Sequence, residues 1–344
     1  RENPPAYDAA AELARDVGAG RSTYTDYDRD ITTAAEAWLK DPRRQQNPWA
    51  AFVSFVSPHY PLTAPQEFYD LYDPADLDMP VAYGTDERPD HPELDRIAAF
   101  FDYDRHFDDL KMRQARAAYY GLISFMDHCV GRVLAALKAS GQAENTIILY
   151  LSDHGEMLGD HGFWTKQVMY EGSAGIPMIM AGPGIPAGRR VETPVSLIDV
   201  APTALSIAGQ SGELPGRSLL SICNESDDRD RTAFSEYHDG GSTTGAFMVR
   251  WGDWKYVYYV GERPQLFNLA CDPGERVDLA ASPDAAEALA EGHRRLRSVC
   301  DPEKVNAQCF RDQERRIAEL GGRDACLNAY VFNHTPTPDE QSAL

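Results

Sequence analysis

No stretch of about 18 consecutive apolar residues occurs in this chain, so the sequence offers no membrane-spanning helix. Positive charge is also short: 33 Lys and Arg stand against 54 Asp and Glu, a formal net charge of −21. At long range that field repels nucleic acid and anionic lipid, which excludes both as expected partners. It repels a small anionic substrate too, so an anion site here must be locally positive. The six cysteines are scattered without a C-x-x-C pair, which leaves no disulfide framework or structural zinc site to read, while isolated bridges stay open. Internal repeats and low-complexity tracts are absent. The chain opens on Arg1-Glu2-Asn3-Pro4-Pro5, without Met or a signal-peptide apolar core, and reveals no compartment. The sequons at Asn224 and Asn333 carry meaning only inside a secretory pathway.

What is there is globular. The 344 residues, 43% hydrophobic and 25% charged, predict one large domain plus a smaller one. The apolar run over residues 49–56 predicts a strand covered on both faces. Before it, Ile31, Ala34, Ala35 and Trp38 share one helical stripe over residues 30–39. After it, prolines from Pro58 to Pro92 predict a long ordered loop with short helical turns. Spacing predicts a helix over residues 115–139, capped at Gly141. Residues 146–151 and 176–180 predict buried strands, with a helix near residues 199–208 closed by Gly209. Strands alternating with helices indicate an α/β fold, a mostly parallel sheet flanked by helices, over residues 1–230. From about residue 231 short aromatic segments predict an antiparallel meander. Helices over 284–299 and 303–320 would complete a smaller C-terminal α+β domain, residues 231–344.

Chemistry concentrates past the strand at 146–151. Asp153 and His154 leave its carboxyl end, where open α/β sheets place their ligands. A carboxylate beside an imidazole can grip one cation; equally, Asp153 can cap a turn beside an exposed His154. Asp160 and His161 repeat the pair in the following loop. Lys166, thirteen residues beyond Asp153 and flanked by aromatics, can present an ammonium to an oxyanion. A lone lysine is also a common solvated surface residue. His59, framed by Pro58 and Pro61 past the end of the other apolar run, reads alone as a structural turn histidine or as a pinned imidazole.

Taken together, these segments resemble one family. The landmarks are Pro58-His59-Tyr60-Pro61-Leu62, Tyr119-Tyr120, Met126-Asp127, Ser152-Asp153-His154-Gly155-Glu156 and Lys166. They continue through Tyr170-Glu171-Gly172-Ser173, Gly182-Pro183-Gly184, Ile198-Asp199-Val200-Ala201-Pro202-Thr203, Gly216-Arg217-Ser218, Trp254-Lys255-Tyr256 and Asp272-Pro273-Gly274-Glu275. From residue 28 to about 280 the chain resembles the sulfatases of the alkaline phosphatase superfamily. Choline-sulfatase-like members and phosphonate monoester hydrolases look most similar. The resemblance implies that Asp153 and His154 ligate a divalent metal, Ca²⁺ first by its oxygen-rich ligation and Mn²⁺ second for the imidazole. It implies that Lys166 and His59 hold sulfate oxygens and assist departure of the alcohol, with His161 in a second tier or facing substrate. A small anionic sulfate ester is the expected partner.

The family's nucleophile is a formylglycine made within a Cys/Ser-x-Pro-x-Arg motif, and this sequence has none. Cys271-Asp272-Pro273 and Cys300-Asp301-Pro302 have the wrong neighbours. The resemblance thus implies that the nucleophile and two further metal-binding aspartates lie upstream of Arg1. The expectation is an N-terminally truncated fragment, inactive alone, that associates with its missing segment or with itself. Gly175 departs from the Arg that many members carry before the following strand, a change bearing on local salt bridging.

Overall fold

The structure, a computed structural model, describes residues 8–328, so the sequon at Asn333 lies outside the described residues. The described chain divides into two compact units: residues 8–79 with 101–146, and residues 80–100 with 147–328. The C-terminal meander belongs to the same unit as the strand preceding Asp153.

In the first of these units, helix α1 (Thr23–Lys40) begins where Ser22 accepts from the Thr25 backbone N–H and closes a capping box. Its buried face is Tyr24, Thr25, Asp28, Thr32 and Leu39. The stripe read from apolar spacing is therefore displaced: Ala34 is exposed, while Ile31 and Trp38 are half-buried. The reason is polar. Buried Asp28 accepts from the backbone N–H groups of Val56 and Ser57, at 2.8 and 2.9 Å. It thereby fixes the entry to the His59 turn.

Helix α2 (Asp109–Ala139) is longer than its apolar pattern indicates, because Asp108 caps it by accepting from Lys111 N at 2.8 Å. It ends at Gly141, whose φ of 76° suits the left-handed exit. Gly121 lets α2 approach the segment Thr63–Ala64; a Cβ there would stand 3.0 Å from the Ala64 Cβ. Leu122 and Phe125 are fully buried, each burial contributing about 1.5–3 kcal/mol.

Residues 51–56 do not form the expected strand. They run without regular pairing, and Phe52 is 92% exposed. The only parallel pairing among the described residues is the two-residue bridge between Gly18–Ala19 and Thr63–Ala64. The proline-rich stretch does form an ordered loop with short turns, including Gln66–Tyr69 and Pro74–Asp76.

In the second unit, strand β1 (Ile148–Leu151) pairs with β2 (Met178–Ala181) antiparallel, not parallel as expected. The connection explains the reversal. Between the two strands lie a single turn at Asp160–Gly162 and the four-residue helix Glu171–Ala174, with no crossover helix to return the chain to the same end. Helix α3 (Val200–Ile207) follows. The antiparallel meander is as expected: β3 (Ala233–Tyr237), β4 (Ala246–Trp251), β5 (Trp254–Tyr259) and β6 (Gln265–Asn268) pair in sequence order. One face packs Phe247, Val249, Trp251, Tyr256 and Leu266 with Leu296 of helix α4 (Ala286–Val299). Gly292 of α4 allows that contact, since a Cβ there would lie 2.6 Å from Tyr256. Helix α5 (Pro302–Glu319) follows, its N-terminus capped by Asp301. The α/β class thus stands, with helix α4 packed on the meander.

All six cysteines are free, and no described helix is long and apolar enough to cross a membrane. Asn224, the other sequon, is exposed and donates to the carbonyls of Gly184 and Leu220.

Candidate functional site

The site is built on the excursion from β1 to β2. Beyond Leu151 the chain leaves the strand, and Ser152 Oγ donates to the His154 carbonyl at 2.8 Å, tightening the turn. The Asp153 carboxylate accepts from His154 N at 2.9 Å and is 80% exposed. The His154 ring is held at both nitrogens. Nδ1 lies 2.8 Å from the Gly155 carbonyl oxygen, and Nε2 lies 2.7 Å from the Lys166 ammonium and 3.5 Å from Asp153 Oδ2. Three of the residues singled out in the sequence are thus brought within hydrogen-bonding or ion-pair reach. Gly155 has no room for a side chain, because a Cβ would overlap the Gly172 carbonyl oxygen.

What holds Lys166 there was not read from the sequence. Glu156 is half-buried, and one carboxylate oxygen accepts from Leu158 N at 3.0 Å and from Thr165 N at 2.5 Å. Burial pushes its carboxyl up to about 7 against the opposing pull of those two N–H groups and of Lys166. The bond to Thr165 matters because Thr165 sits at φ 60°, a backbone conformation costly for a β-branched residue. Met157 N donating to the Thr165 carbonyl at 2.8 Å, and Lys166 N donating to Gln167 Oε1 at 3.1 Å, complete the support.

A second device anchors the return path. Lys255 on β5 is 0% exposed, with its Nζ 2.7 Å from Glu171 and 2.7 Å from Glu275. It also donates to the Met169 carbonyl at 3.0 Å. At Glu275 Oε1 the contact is one of charge without hydrogen-bond geometry, while Oε2 of the same residue accepts from Glu171 N. Burial pushes the Glu275 carboxyl up and Lys255 opposes it. Gly175 N donates to the Glu171 carbonyl and ends the short helix there.

His161 occupies a different place. It is 4% exposed, stacked on Tyr170 with ring centroids 4.1 Å apart, and its Nε2 lies 3.0 Å from the Gly274 carbonyl oxygen. Asp160 beside it accepts from Val81 N at 2.8 Å. These contacts give the pair a structural post within this unit, and burial lowers the His161 pKa to about 4. A depressed histidine stabilises the fold fully above its unfolded value near 6.5, and that stability is lost as pH falls toward 4. His161→Phe, which keeps the stack on Tyr170, should therefore flatten the loss of stability between pH 6.5 and 4. The expected difference in slope is up to about 1.4 kcal/mol per pH unit, read by denaturant titration at several pH values. Glu156, with its raised pKa, acts in the opposite sense, losing stability as pH rises from about 4.5 to 7. The wild type alone would blur the two, so the difference between chains is the readout.

His59 belongs to the other compact unit. Its Nδ1 lies 2.8 Å from the Tyr60 carbonyl oxygen, and its ring stacks on Tyr60 with centroids 4.3 Å apart. The two N–H bonds taken by Asp28 fix the backbone just before it.

Among the described residues no cluster of three or more His, Cys, Asp or Glu is arranged to hold a metal. Asp153 Oδ2 and His154 Nε2 lie 3.5 Å apart, one carboxylate and one imidazole, which by themselves make only part of a cation's shell, and the Lys166 ammonium stands against the same nitrogen.

Comparison with known proteins follows the same segments. Residues 3–210 match the family model described as Sulfatase, and residues 159–301 match that of the N-sulphoglucosamine sulphohydrolase C-terminal region. A choline-sulfatase of Rhizobium meliloti (strain 1021) is 35% identical over 93% of this chain and 65% of its own length. An arylsulfatase K of Danio rerio is 36% identical over 62% of this chain and 42% of its own. This chain therefore spans about two thirds of one of these curated relatives and less than half of the other. Among solved structures, a phosphonate monoester hydrolase from Silicibacter pomeroyi superposes with a TM-score of 0.66 at 30% identity, covering 77% of this chain and 58% of that one. The family model matched over residues 3–210 and the relatives similar along most of the chain show that this chain belongs to the sulfatase family of the alkaline phosphatase superfamily.

Proposed function

We propose that the protein to which this chain belongs hydrolyses a small sulfate monoester with the help of a divalent cation. One observation carries the reading: the Lys166 ammonium and the Asp153 carboxylate converge on His154 Nε2, at 2.7 and 3.5 Å. On a protein of net charge −21, a lysine aimed into a strand-end site is the local positive charge that an anionic ester requires. Asp153 and His154 would hold the cation, Ca²⁺ before Mn²⁺, and when bound it would screen the sulfate and lower the pKa of the nucleophile. Lys166 would neutralise a sulfate oxygen. For His59, which lies in the other compact unit, the family resemblance supports a part in the departure of the alcohol. His161 would act from behind, holding the Gly274 carbonyl and Tyr170 in place, rather than touching substrate.

The nucleophile expected in this family is a formylglycine, and no Cys/Ser-x-Pro-x-Arg motif occurs in the sequence. This chain alone should therefore show negligible turnover of a chromogenic aryl sulfate and only weak Ca²⁺ binding, because two donors do not make a preformed cage. Turnover by the purified chain, or sub-micromolar Ca²⁺ affinity in a calorimeter, would refute that expectation. Exposed apolar residues such as Phe52 and Ile179, the latter 60% exposed, support association with another segment of the same protein or with a second copy.

A second reading is hydrolysis of phosphonate monoesters or phosphodiesters, favoured by the structural similarity to a phosphonate monoester hydrolase. A third is a non-catalytic, truncated homologue, consistent with the missing motif. Assay of the full-length protein with aryl sulfate and phenyl phosphonate esters separates them. A faster sulfate reaction supports the first reading, a dominant phosphonate rate the second, and no turnover of either the third.

A further inference from the structure

Between Phe163 and Tyr170 the excursion from β1 to β2 is buried at every position but two. Phe163, Trp164, Thr165, Val168, Met169 and Tyr170 are buried, while Lys166 and Gln167 are half-exposed. Lys166 turns its ammonium to His154 Nε2 at 2.7 Å. Gln167 shares the same opening, and the fold uses only one end of its amide.

That amide is oriented by its own neighbours. Its Oε1 accepts from Lys166 N at 3.1 Å and from the Thr165 hydroxyl. A backbone N–H can only donate, so the atom facing it is the amide oxygen and Nε2 lies on the other side. The side chain thus folds back along the chain and sets its amide at the foot of the Lys166 stem. Nε2 makes no hydrogen bond among the described residues and is not shut off from solvent. Two N–H donors are held there, beside the lysine, with nothing yet to give them to.

We propose that Gln167 is a second contact for the ester, its Nε2 donating to a sulfate oxygen beside the one that Lys166 meets. The two donors divide the work. The ammonium draws an anion from a distance, and a point charge is indifferent to which oxygen arrives. An amide N–H adds little attraction at range but demands an acceptor within a narrow distance and angle. Together they fix the orientation of a tetrahedral group that the ammonium alone would leave free to turn. Because two donors hold Oε1, Nε2 is placed before substrate arrives and loses little freedom on binding it. The inference rests on the reading of Lys166 as the group that meets an oxyanion, and it makes no use of a cation.

Gln167→Glu tests it, because that exchange is confined to the outward atom. A carboxylate keeps one oxygen for Lys166 N and the Thr165 hydroxyl, and replaces the outward NH₂ with an oxygen that only accepts. Gln167→Met removes both ends on an unbranched chain of similar size. Both are measured in the full-length protein on an aryl sulfate, with Lys166→Ala and the double variant Lys166→Ala, Gln167→Glu. Gln167→Met is expected to lower kcat/KM about tenfold to a hundredfold, the share of one hydrogen bond to a charged acceptor. Gln167→Glu should fall further, by about a hundredfold or more, since a carboxylate then faces the anionic ester. Its loss should persist in the Lys166→Ala background, and its thermal midpoint should match wild type.

Full activity in Gln167→Glu would overturn the inference and leave Gln167 as a support for the Lys166 backbone. Full activity in Gln167→Met would overturn it too. So would a Gln167→Glu loss that vanishes once Lys166 is removed, which would place the effect on the lysine. A Gln167→Glu chain that melts well below wild type would show the inner bonds broken, and with them the orientation on which the inference stands. Unchanged kcat/KM in Lys166→Ala would remove the oxyanion reading of Lys166 and this inference together. A loss there beside an active Gln167→Glu would sink the inference alone.

Discussion

Lys166→Ala in the full-length protein should lower kcat/KM for an aryl sulfate by about 10²–10³-fold, the usual cost of removing one preorganised group from a developing oxyanion. The loss should appear mainly in kcat, because the charge it answers grows as the ester bond breaks. Lys166→Arg should recover little. Arg keeps the charge, but its planar fork on a different stem cannot place one donor where Nζ stands, 2.7 Å from His154. The kinetics of the three chains on one substrate decide the matter. A variant with unchanged kcat and a raised KM would show that Lys166 steers substrate without stabilising the reacting group.

The second large effect is one of stability. Lys255→Met should cost about 3–5 kcal/mol, because it leaves two carboxylates facing one another without their shared cation. Glu275 is buried and Glu171 half-exposed, so the first carries most of the penalty. Adding Glu275→Leu to Lys255→Met should return a large part of the loss, as an apolar pair tolerates the interior where a single orphan charge does not. Denaturant titration of all three chains, followed by tryptophan fluorescence, measures both steps. A loss below about 1 kcal/mol for the single variant would mean that water reaches the triad and supports the remaining charges.

Local patterns were the legible part of the fold. The long helix is visible because Leu122, Leu137 and their neighbours recur at helical spacing, although its true start at Asp109 depends on a cap from Asp108. The meander is visible because each of its strands is short, aromatic and bounded by turns, so pairing partners are sequence neighbours. The direction in which β1 and β2 pair was not legible, because apolar runs look alike in either sense and only the connection decides. Residues 49–56 misled for the same reason: an apolar run records a preference for burial, and Phe52, 92% exposed, does not meet it among the described residues, while Phe55 and Val56 meet it in part.

The site divides along a similar line. Asp153, His154 and Lys166 stand out because their residue types carry chemistry at a strand end. Glu156, Lys255 and Glu275 carry the burden of placing them, as Asp28 does for the backbone before His59, and such a charge looks like any surface charge in a string of letters. Glu156 and Lys255 lay within segments that marked the family resemblance, yet nothing local gave them a task. At His161 a histidine near a candidate site draws a chemical reading, and the structure gives it a stacking partner and a carbonyl.

Because Asp153, His154, Lys166 and the glutamate that shapes their loop all ride on one excursion between neighbouring strands, they travel as a cassette. A transplant of residues 152–177 into a distant scaffold would move the reactive groups and the Glu156 brace intact. It would leave behind the ammonium on β5 that tethers the return path. Engineers exchanging this excursion between homologues should therefore carry Lys255 and Glu275 with it, or expect the graft to arrive with its far end untethered.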